Sequence, residues 1–260
     1  PQIGALDNKI IIVTADNGMP FPRAKANADE YGMHVPMAVR FPKEFPGGRK
    51  VDNPVSFIDL APTILELTQT SSEGMLPISG QSLVDLLSSE QEGVIPNSRG
   101  YALAGRERHS SSRYQNLGYP QRLLRQGDYL FIWNIEPERW PAGAPQRLVS
   151  DSTEELHPLY GIDEEGMHHS DWAFTDIDAA PTKSFIVENY DDPEYARYFE
   201  LSVGKRPEYE LFNVKKDPNC LTNLATDPEF TGLINELNET MLKVLTETED
   251  PRVVGPDPDF

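Results

Sequence analysis

The residues best equipped for chemistry in this 260-residue chain lie between Thr14 and Pro36, in the stretch TADNGMPFPRAKANADEYGMHVP. Asp16 offers a carboxylate oxygen and Asn17 a carbonyl oxygen, hard donors that suit calcium or magnesium rather than zinc. Both follow the apolar run Lys9–Thr14, KIIIVT. A strand there delivers them at its carboxyl end, the edge where open α/β sheets bind ligands. Two donors do not fill the coordination shell of such a cation, and Asn17-Gly18 taken alone reads first as a tight turn. Arg23 and Lys25 follow on a loop stiffened by Pro20 and Pro22. Singly, each is a solvated loop charge. Together, beside a metal, they serve a reaction on an anion, whose transition state gathers charge that cations offset.

These residues need elements to hold them. KIIIVT lacks polar alternation, which predicts a strand covered on both faces, as in a parallel α/β sheet. A second strand is expected at Met37–Phe41, between Pro36 and Pro42. In SFIDLAPTILEL, Phe57, Leu60, Ile64 and Leu67 fall at helical spacing, with Ser56 as N-cap. Further strands are expected at Tyr101–Ala104, at Tyr129–Trp133 after a Gly127-Asp128 turn, and at Glu208–Val214 before a turn over Lys215–Asn219. The last helix starts near Asp227, with Pro228 in its first position, and runs to about Thr246. Its apolar stripe is Leu233, Leu237, Met241, Val244 and Leu245. From Glu249 the tail reads as irregular.

Composition narrows the partners. With 23 Lys+Arg against 42 Asp+Glu the net charge is -19, which argues against a nucleic-acid binder or an acidic membrane surface. No apolar run approaches the roughly 18 residues of a membrane span, and PQIGALDNK lacks the basic and apolar regions of a signal peptide. The single cysteine allows neither an internal disulfide nor a thiolate-rich zinc site. Charge is uneven, however. Arg99–Arg147 carries eight arginines and no lysine against four acids, a local net of +4, whereas residues 150–200 carry 14 acids against Lys183 and Arg197. The acidic stretch is expected to form long surface loops, with Trp172 and Phe185 partly packed.

The ordered series of segments resembles the sulfatase family of the alkaline-phosphatase-like superfamily. It runs from the strand and D-N-G, through a Lys nine positions after Asp16, to an E-x-G and a V-P before a second strand. The likeness continues in VSFIDLAPTILEL, GQSLVDLL, Asp128–Ile132 and YELFNVKKDPNCLTNLA. Gly105-Arg106-Glu107-Arg108-His109 and the segment around Arg139-Trp140-Pro141-Ala142-Gly143 look most like the heparan N-sulfatase (sulfamidase) branch.

The resemblance implies an α/β remnant of the sulfatase catalytic domain over residues 1–95. It is joined to an α+β C-terminal subdomain over 96–260, with a small antiparallel sheet, a C-terminal helix and an acidic insertion at about 150–200. It also implies roles. Asp16 and Asn17 match metal ligands, for Ca2+ before Mg2+, and Lys25 matches the cation that contacts the sulfate and its leaving atom. Arg23, Arg106, Glu107, Arg108 and His109 would lie on the substrate side, where guanidinium forks suit carboxylates and sulfates of a glycosaminoglycan. His34 stands where many relatives have Arg and is taken as structural. The implied reaction is hydrolysis of sulfate esters or N-sulfates of a heparan-type glycan.

The family's C/S-x-P-x-R sequence, source of the formylglycine nucleophile, is not among these residues, nor is its early pair of aspartates. Cys220 has neither Pro nor Arg at the required spacing and is expected to be a structural thiol. The chain is therefore expected to be a C-terminal fragment, inactive alone, whose partners are a sulfated glycan and the N-terminal part of the same enzyme, where formylglycine is expected. Family members are commonly exported to periplasmic, extracellular or lysosomal-type compartments. Two rivals stay open: a phosphomonoester or phosphonate hydrolase of the same superfamily, and a non-catalytic module binding sulfated glycans through the arginine island.

Overall fold

The computed structural model describes residues 6–96, 98–108, 110–146, 148–150, 153–156 and 172–255. In chain order its elements are β1 (Ile11–Thr14), α1 (Glu30–Met33), β2 (Met37–Arg40), α2 (Leu60–Thr68), α3 (Val84–Ser88), β3 (Tyr101–Arg106) and β4 (Gln121–Gln126). Then come β5 (Tyr129–Asn134), α4 (Pro181–Glu188), α5 (Ala196–Val203), β6 (Tyr209–Asn213), α6 (Thr231–Glu247) and α7 (Pro251–Val254). They group into two compact units that interleave along the chain. One comprises residues 1–15, 36–103 and 125–127, the other residues 16–35, 104–124 and 128–260. The candidate loop 16–35 thus clusters with the C-terminal elements.

In the first unit β1 and β2 pair antiparallel, Ile11 opposite Arg40 and Thr14 opposite Met37. This corrects the parallel pairing expected from KIIIVT. An unbroken apolar run speaks for burial, not for strand direction, and Val13 is 62 % exposed here. A 3-10 turn, Phe57–Asp59, capped by Ser56, leads into α2. Of the expected stripe of α2, Phe57 and Ile64 are exposed while Leu60 and Leu67 are half-buried. The helix buries Thr63 instead, whose hydroxyl donates to the Asp59 carbonyl at 2.6 Å and accepts from Leu83 N at 2.8 Å. Asp59 itself is buried and receives Ser56 N, Gln81 N and the Arg99 guanidinium at 2.9, 2.9 and 2.6 Å. Those donors replace the water it has lost. Leu83, Leu86 and Ile95 form this unit's core, with Met37, Val51, Val55 and Leu87 around them.

The larger sheet has the strand order β3-β4-β5-β6, with β5 and β6 antiparallel from Tyr129↔Asn213 to Trp133↔Tyr209. Three of the four were expected. Between β4 and β5 the chain turns at Gly127, whose φ of +55° is the left-handed conformation that glycine adopts without a steric cost. β4 was missed because QRLLRQ neither alternates nor looks apolar, yet Gln121 and Arg122 are buried beside Leu123 and Leu124. Leu123, Leu130, Ile132, Phe212 and Val214 meet Ala28 and Cys220 in one core cluster, so the candidate loop packs directly on the sheet. Along β5 and β6 the alternate residues Phe131 and Tyr209 point the other way, their rings stacked at 5.7 Å.

The acidic stretch is not merely surface loop, which corrects the expectation for residues 172–203. The helices α4 and α5 carry one acid each, Glu188 and Glu200, both exposed, while Phe174, Ile177, Val187, Phe199 and Val203 gather with Ala142 and Ala173 in a second core cluster. Trp140 closes this cluster edge-on to Phe174 at 5.5 Å. Trp172 is half-buried, but Phe185, expected to pack, is exposed and only meets the Tyr195 ring. The C-terminal helix arrives as read: Asp227 caps the turn Pro228–Phe230, and α6 turns Leu237, Met241 and Leu245 inward. The tail, expected to be irregular, begins with α7, whose cap is Asp250. No helix among the described residues is long and apolar enough to cross a membrane.

Leu237 is 1 % exposed. Leu237→Ala should therefore lower the unfolding free energy by about 2–4 kcal/mol in urea denaturation, whereas exposed Lys243→Ala should change it by less than about 0.5 kcal/mol.

Candidate functional site

The loop that carries the candidate residues is closed on itself. Gly18 N donates to the Gly32 carbonyl at 3.0 Å. A Cβ at Gly18 would lie 2.0 Å from the Tyr31 oxygen, and one at Gly32 would lie 2.1 Å from that of Asn27. Both positions require glycine for close backbone approach. Neither Asn17 nor Gly18 has a positive φ, so the Asn-Gly pair is not the tight hairpin turn its sequence first suggests. Asp29 caps α1, accepting from Tyr31 N at 3.1 Å and Gly32 N at 3.3 Å.

Asp16 and Asn17 stand at the mouth of this loop, both exposed, with Asn17 N donating to Asp16 Oδ1 at 3.1 Å. Their side-chain oxygens face water and are of the hard type that Ca2+ takes. They fit as two members of a shell of about six to eight oxygens. Among the described residues no group of three or more His, Cys, Asp or Glu is arranged to hold an ion.

The two loop cations have different fates. The Arg23 guanidinium turns inward to the carbonyls of Asn219 and Cys220, the latter at 3.1 Å, and to Asp29 Oδ2 at 3.5 Å. The Lys25 side chain is as buried as that of Arg23, 17 against 18 % exposed, but its ammonium meets a side-chain carboxylate that is itself 55 % exposed, Asp178 Oδ2 at 2.8 Å. One of its three N–H donors is engaged there. His34 is exposed and pairs with Glu30 at 2.7 Å across one helical turn.

The Arg106 cluster is dispersed by the fold. Arg106 reaches inward, donating to the Ala26 carbonyl at 2.5 Å, to the Pro141 carbonyl, and to Asp176 Oδ2 at 3.1 Å. Glu107 pairs with Arg122 at 2.6 Å and with Arg252 at 2.8 Å. Arg108 is exposed, and His109 lies outside the described residues. The structure thus brings Asp16, Asn17, Arg23 and Lys25 onto one loop, and separates Arg106 and Glu107 into internal ion pairs.

Sequence reasoning missed the residue at the centre of this arrangement. Asp176 is 1 % exposed and holds Arg106 and Arg113 at 3.1 and 3.0 Å, with the Ser110 and Ser112 hydroxyls at 2.7 and 2.9 Å. Burial would raise its carboxyl, but Arg113 and Arg106 outweigh burial and hold it below the ordinary carboxylate range. Burial draws the Arg106 guanidinium down to about 10, still well above neutral pH, so the pair remains ionic. No local pattern announces it, because the partners lie far apart in the chain.

Within the same unit a cavity of about 210 Å³ is lined by Arg23, Asp29, Arg206 and Glu210 together with apolar side chains of the sheet. Burial raises the Asp29 carboxyl to about 6 in spite of Arg23, the Gly32 amide and Arg206, and it raises Glu210 as well. Cys220 is buried at the cavity wall, its thiol pushed up to about 12 by burial. That thiol is neither a nucleophile nor a ligand at neutral pH, in line with the structural role expected.

Comparison with known proteins gives the site its context. Residues 2–70 match the sulfatase family model. Over 98 % of its length the chain is 26 % identical to the human N-sulphoglucosamine sulphohydrolase, of which it spans 45 %. It superposes on the structure of BT4656 in complex with its substrate D-glucosamine-2-N,6-O-disulfate with a TM-score of 0.54 at 18 % identity, covering 99 % of this chain and 37 % of that one. The phosphonate monoester hydrolase of Agrobacterium radiobacter gives a TM-score of 0.53 at 16 % identity, covering 95 % and 37 %. The fold is that of the sulfatases, and the chain spans less than half the length of each of these relatives.

The raised Asp29 carboxyl has a measurable consequence. Between about pH 4 and 6 the unfolded Asp29 has lost its proton while the folded one retains it, so this group makes stability fall as pH rises through that window. Asp29→Asn keeps the cap and removes the charge. Thermal unfolding from pH 4 to 8 should show the variant about 2 kcal/mol more stable than the parent above pH 6, with the difference vanishing toward pH 4.

Proposed function

We propose, from the premise that this chain belongs to the sulfatase family, that the protein hydrolyses sulfate esters or N-sulfates of a glycan. The heparan-type, glucosamine-linked substrates of the N-sulfatase branch are the class to test first. The observation that carries this reading is the condition of Lys25. Of the loop's two cations, Arg23 is bound to backbone carbonyls and to Asp29, while the Lys25 ammonium is held by an ion pair to Asp178, whose side chain is 55 % exposed. Among the described residues Asp178 is its ion-pair partner, which leaves two N–H donors to point at the oxygens of a tetrahedral anion. Such donors stabilise negative charge that grows on the leaving atom as the bond to sulfur breaks.

Asp16 and Asn17 would hold a calcium ion beside that anion, and when bound the ion supplies further positive charge to its oxygens. The residues of this chain supply binding and charge stabilisation, since the C/S-x-P-x-R source of a formylglycine is not among them. The arginine island gives less support to a glycan-binding module. Arg99, Arg106, Arg113, Arg122 and Arg139 all pair with acids of the chain itself. Arg108, by contrast, is exposed.

The complete gene product should be assayed in parallel on 4-nitrophenyl sulfate, N-sulfoglucosamine, 4-nitrophenyl phosphate and a phosphonate monoester. Turnover of the sulfated compounds is expected, and turnover of the phosphorus compounds alone would overturn the assignment. Lys25→Ala should lower kcat/KM on the sulfated substrate by about 10² to 10³ while leaving Tm within about 4 °C, because the ion pair it removes is to a carboxylate that is 55 % exposed.

A further inference from the structure

We propose that Asp176, Ile177 and Asp178 form a positioning element for Lys25, gripping its loop at three successive points. This deepens the reading above and rests on it in one respect, that Lys25 is the cation facing the sulfate.

The loop needs such a grip. Arg23 and Ala26, which bracket Lys25, both sit in the left-handed region, at φ of 73° and 61°. For residues with a Cβ that conformation is disfavoured by roughly 1–2 kcal/mol each, and it persists only where the surroundings over-determine it. Arg23 is fixed by its own guanidinium on the carbonyls of Asn219 and Cys220. At Ala26 the fixation comes from the 176–178 segment. Asp176 orients Arg106, which donates to the Ala26 carbonyl at 2.5 Å. Ile177, 1 % exposed, belongs to the apolar cluster on which Ala26 packs. Asp178 then takes the Lys25 ammonium itself at 2.8 Å.

The segment is rigid enough for the task. Asp176 N donates to the Ala142 carbonyl at 3.0 Å and Ile177 N to that of Phe174 at 3.0 Å. A free lysine loses about 2 kcal/mol of rotamer freedom when it is fixed on an anion. Asp178 removes part of that cost in advance, since the ammonium is already aimed and two donors stay available. The same carboxylate also cancels positive charge next to the anion. It therefore favours alignment over ground-state affinity, and the two effects separate kinetically.

In the complete gene product, Asp178→Ala should lower kcat on the sulfated substrate roughly tenfold with KM unchanged or lower. Asp178→Asn, which keeps an oxygen acceptor but loses the charge, should recover kcat to within about threefold of the parent with a lower KM. Tm should hold in both, because the Asp178 side chain is 55 % exposed. A second readout needs no turnover. Tryptic cleavage after Lys25 in the native protein, followed by mass spectrometry, should speed up several-fold in Asp178→Ala and less in Asp178→Asn. Unchanged cleavage in Asp178→Ala would overturn the positioning role. Faster cleavage, combined with full sulfatase activity of Lys25→Ala, would leave the positioning role standing and remove Lys25 from the reaction.

Discussion

A carboxylate with no water around it organises the C-terminal unit. Asp176 gives up its hydration to sit between two guanidinium groups and two hydroxyls, and every one of those donors comes from a different stretch of chain than its own. The loss of solvation is severe unless all the partners are present at once, so the cluster forms as a unit or not at all. Its reach is what matters for function. Through Arg106 it extends to the backbone of the Lys25 loop, and through Arg113 to the carbonyls of Trp140 and Pro141. An ion cluster that contributes little net stability can still specify which loop conformation the unit adopts.

The cluster also explains why charge read along the chain misleads. The arginine island at 99–147 looks like a basic surface because its four acids are outnumbered two to one in that window. In space Asp59, Asp176 and Asp250 come from outside the window to neutralise Arg99, Arg106, Arg113 and Arg122. Long, unpaired arginines in sequence become short, paired ones in the fold. The acidic stretch tells the same story from the other side, since part of its charge is spent internally and its apolar residues build a core.

What the sequence made legible were features with local causes. β1, β2, β5 and β6 declare themselves as apolar runs between turn residues, and α6 by a capping aspartate, a leading proline and a 3.6-residue stripe. The D-N-G and the lysine nine places on are legible because their spacing on one loop is a property of the chain itself. β4 was hidden because Gln121 and Arg122 are buried through hydrogen bonds, to Asn134 and to Asp250, that only the tertiary structure supplies. α4 and α5 were hidden by the acidic segments that flank them, since each helix has only eight residues and one acid of its own. Asp176 and Asp178 could not be found by any pattern, because their meaning lies in partners some 60 to 150 residues away.

The staple between Gly18 and Gly32 bears on how the protein ages. An asparagine followed by glycine is the dipeptide that deamidates most readily, by attack of the glycine nitrogen on the side-chain amide to close a five-membered ring. In this loop that nitrogen has its N–H committed to the Gly32 carbonyl at 3.0 Å, a bond that must break before it can attack. The bond that closes the loop therefore also works against conversion of Asn17 to an acid. It favours a neutral amide, rather than a second carboxylate, beside Asp16.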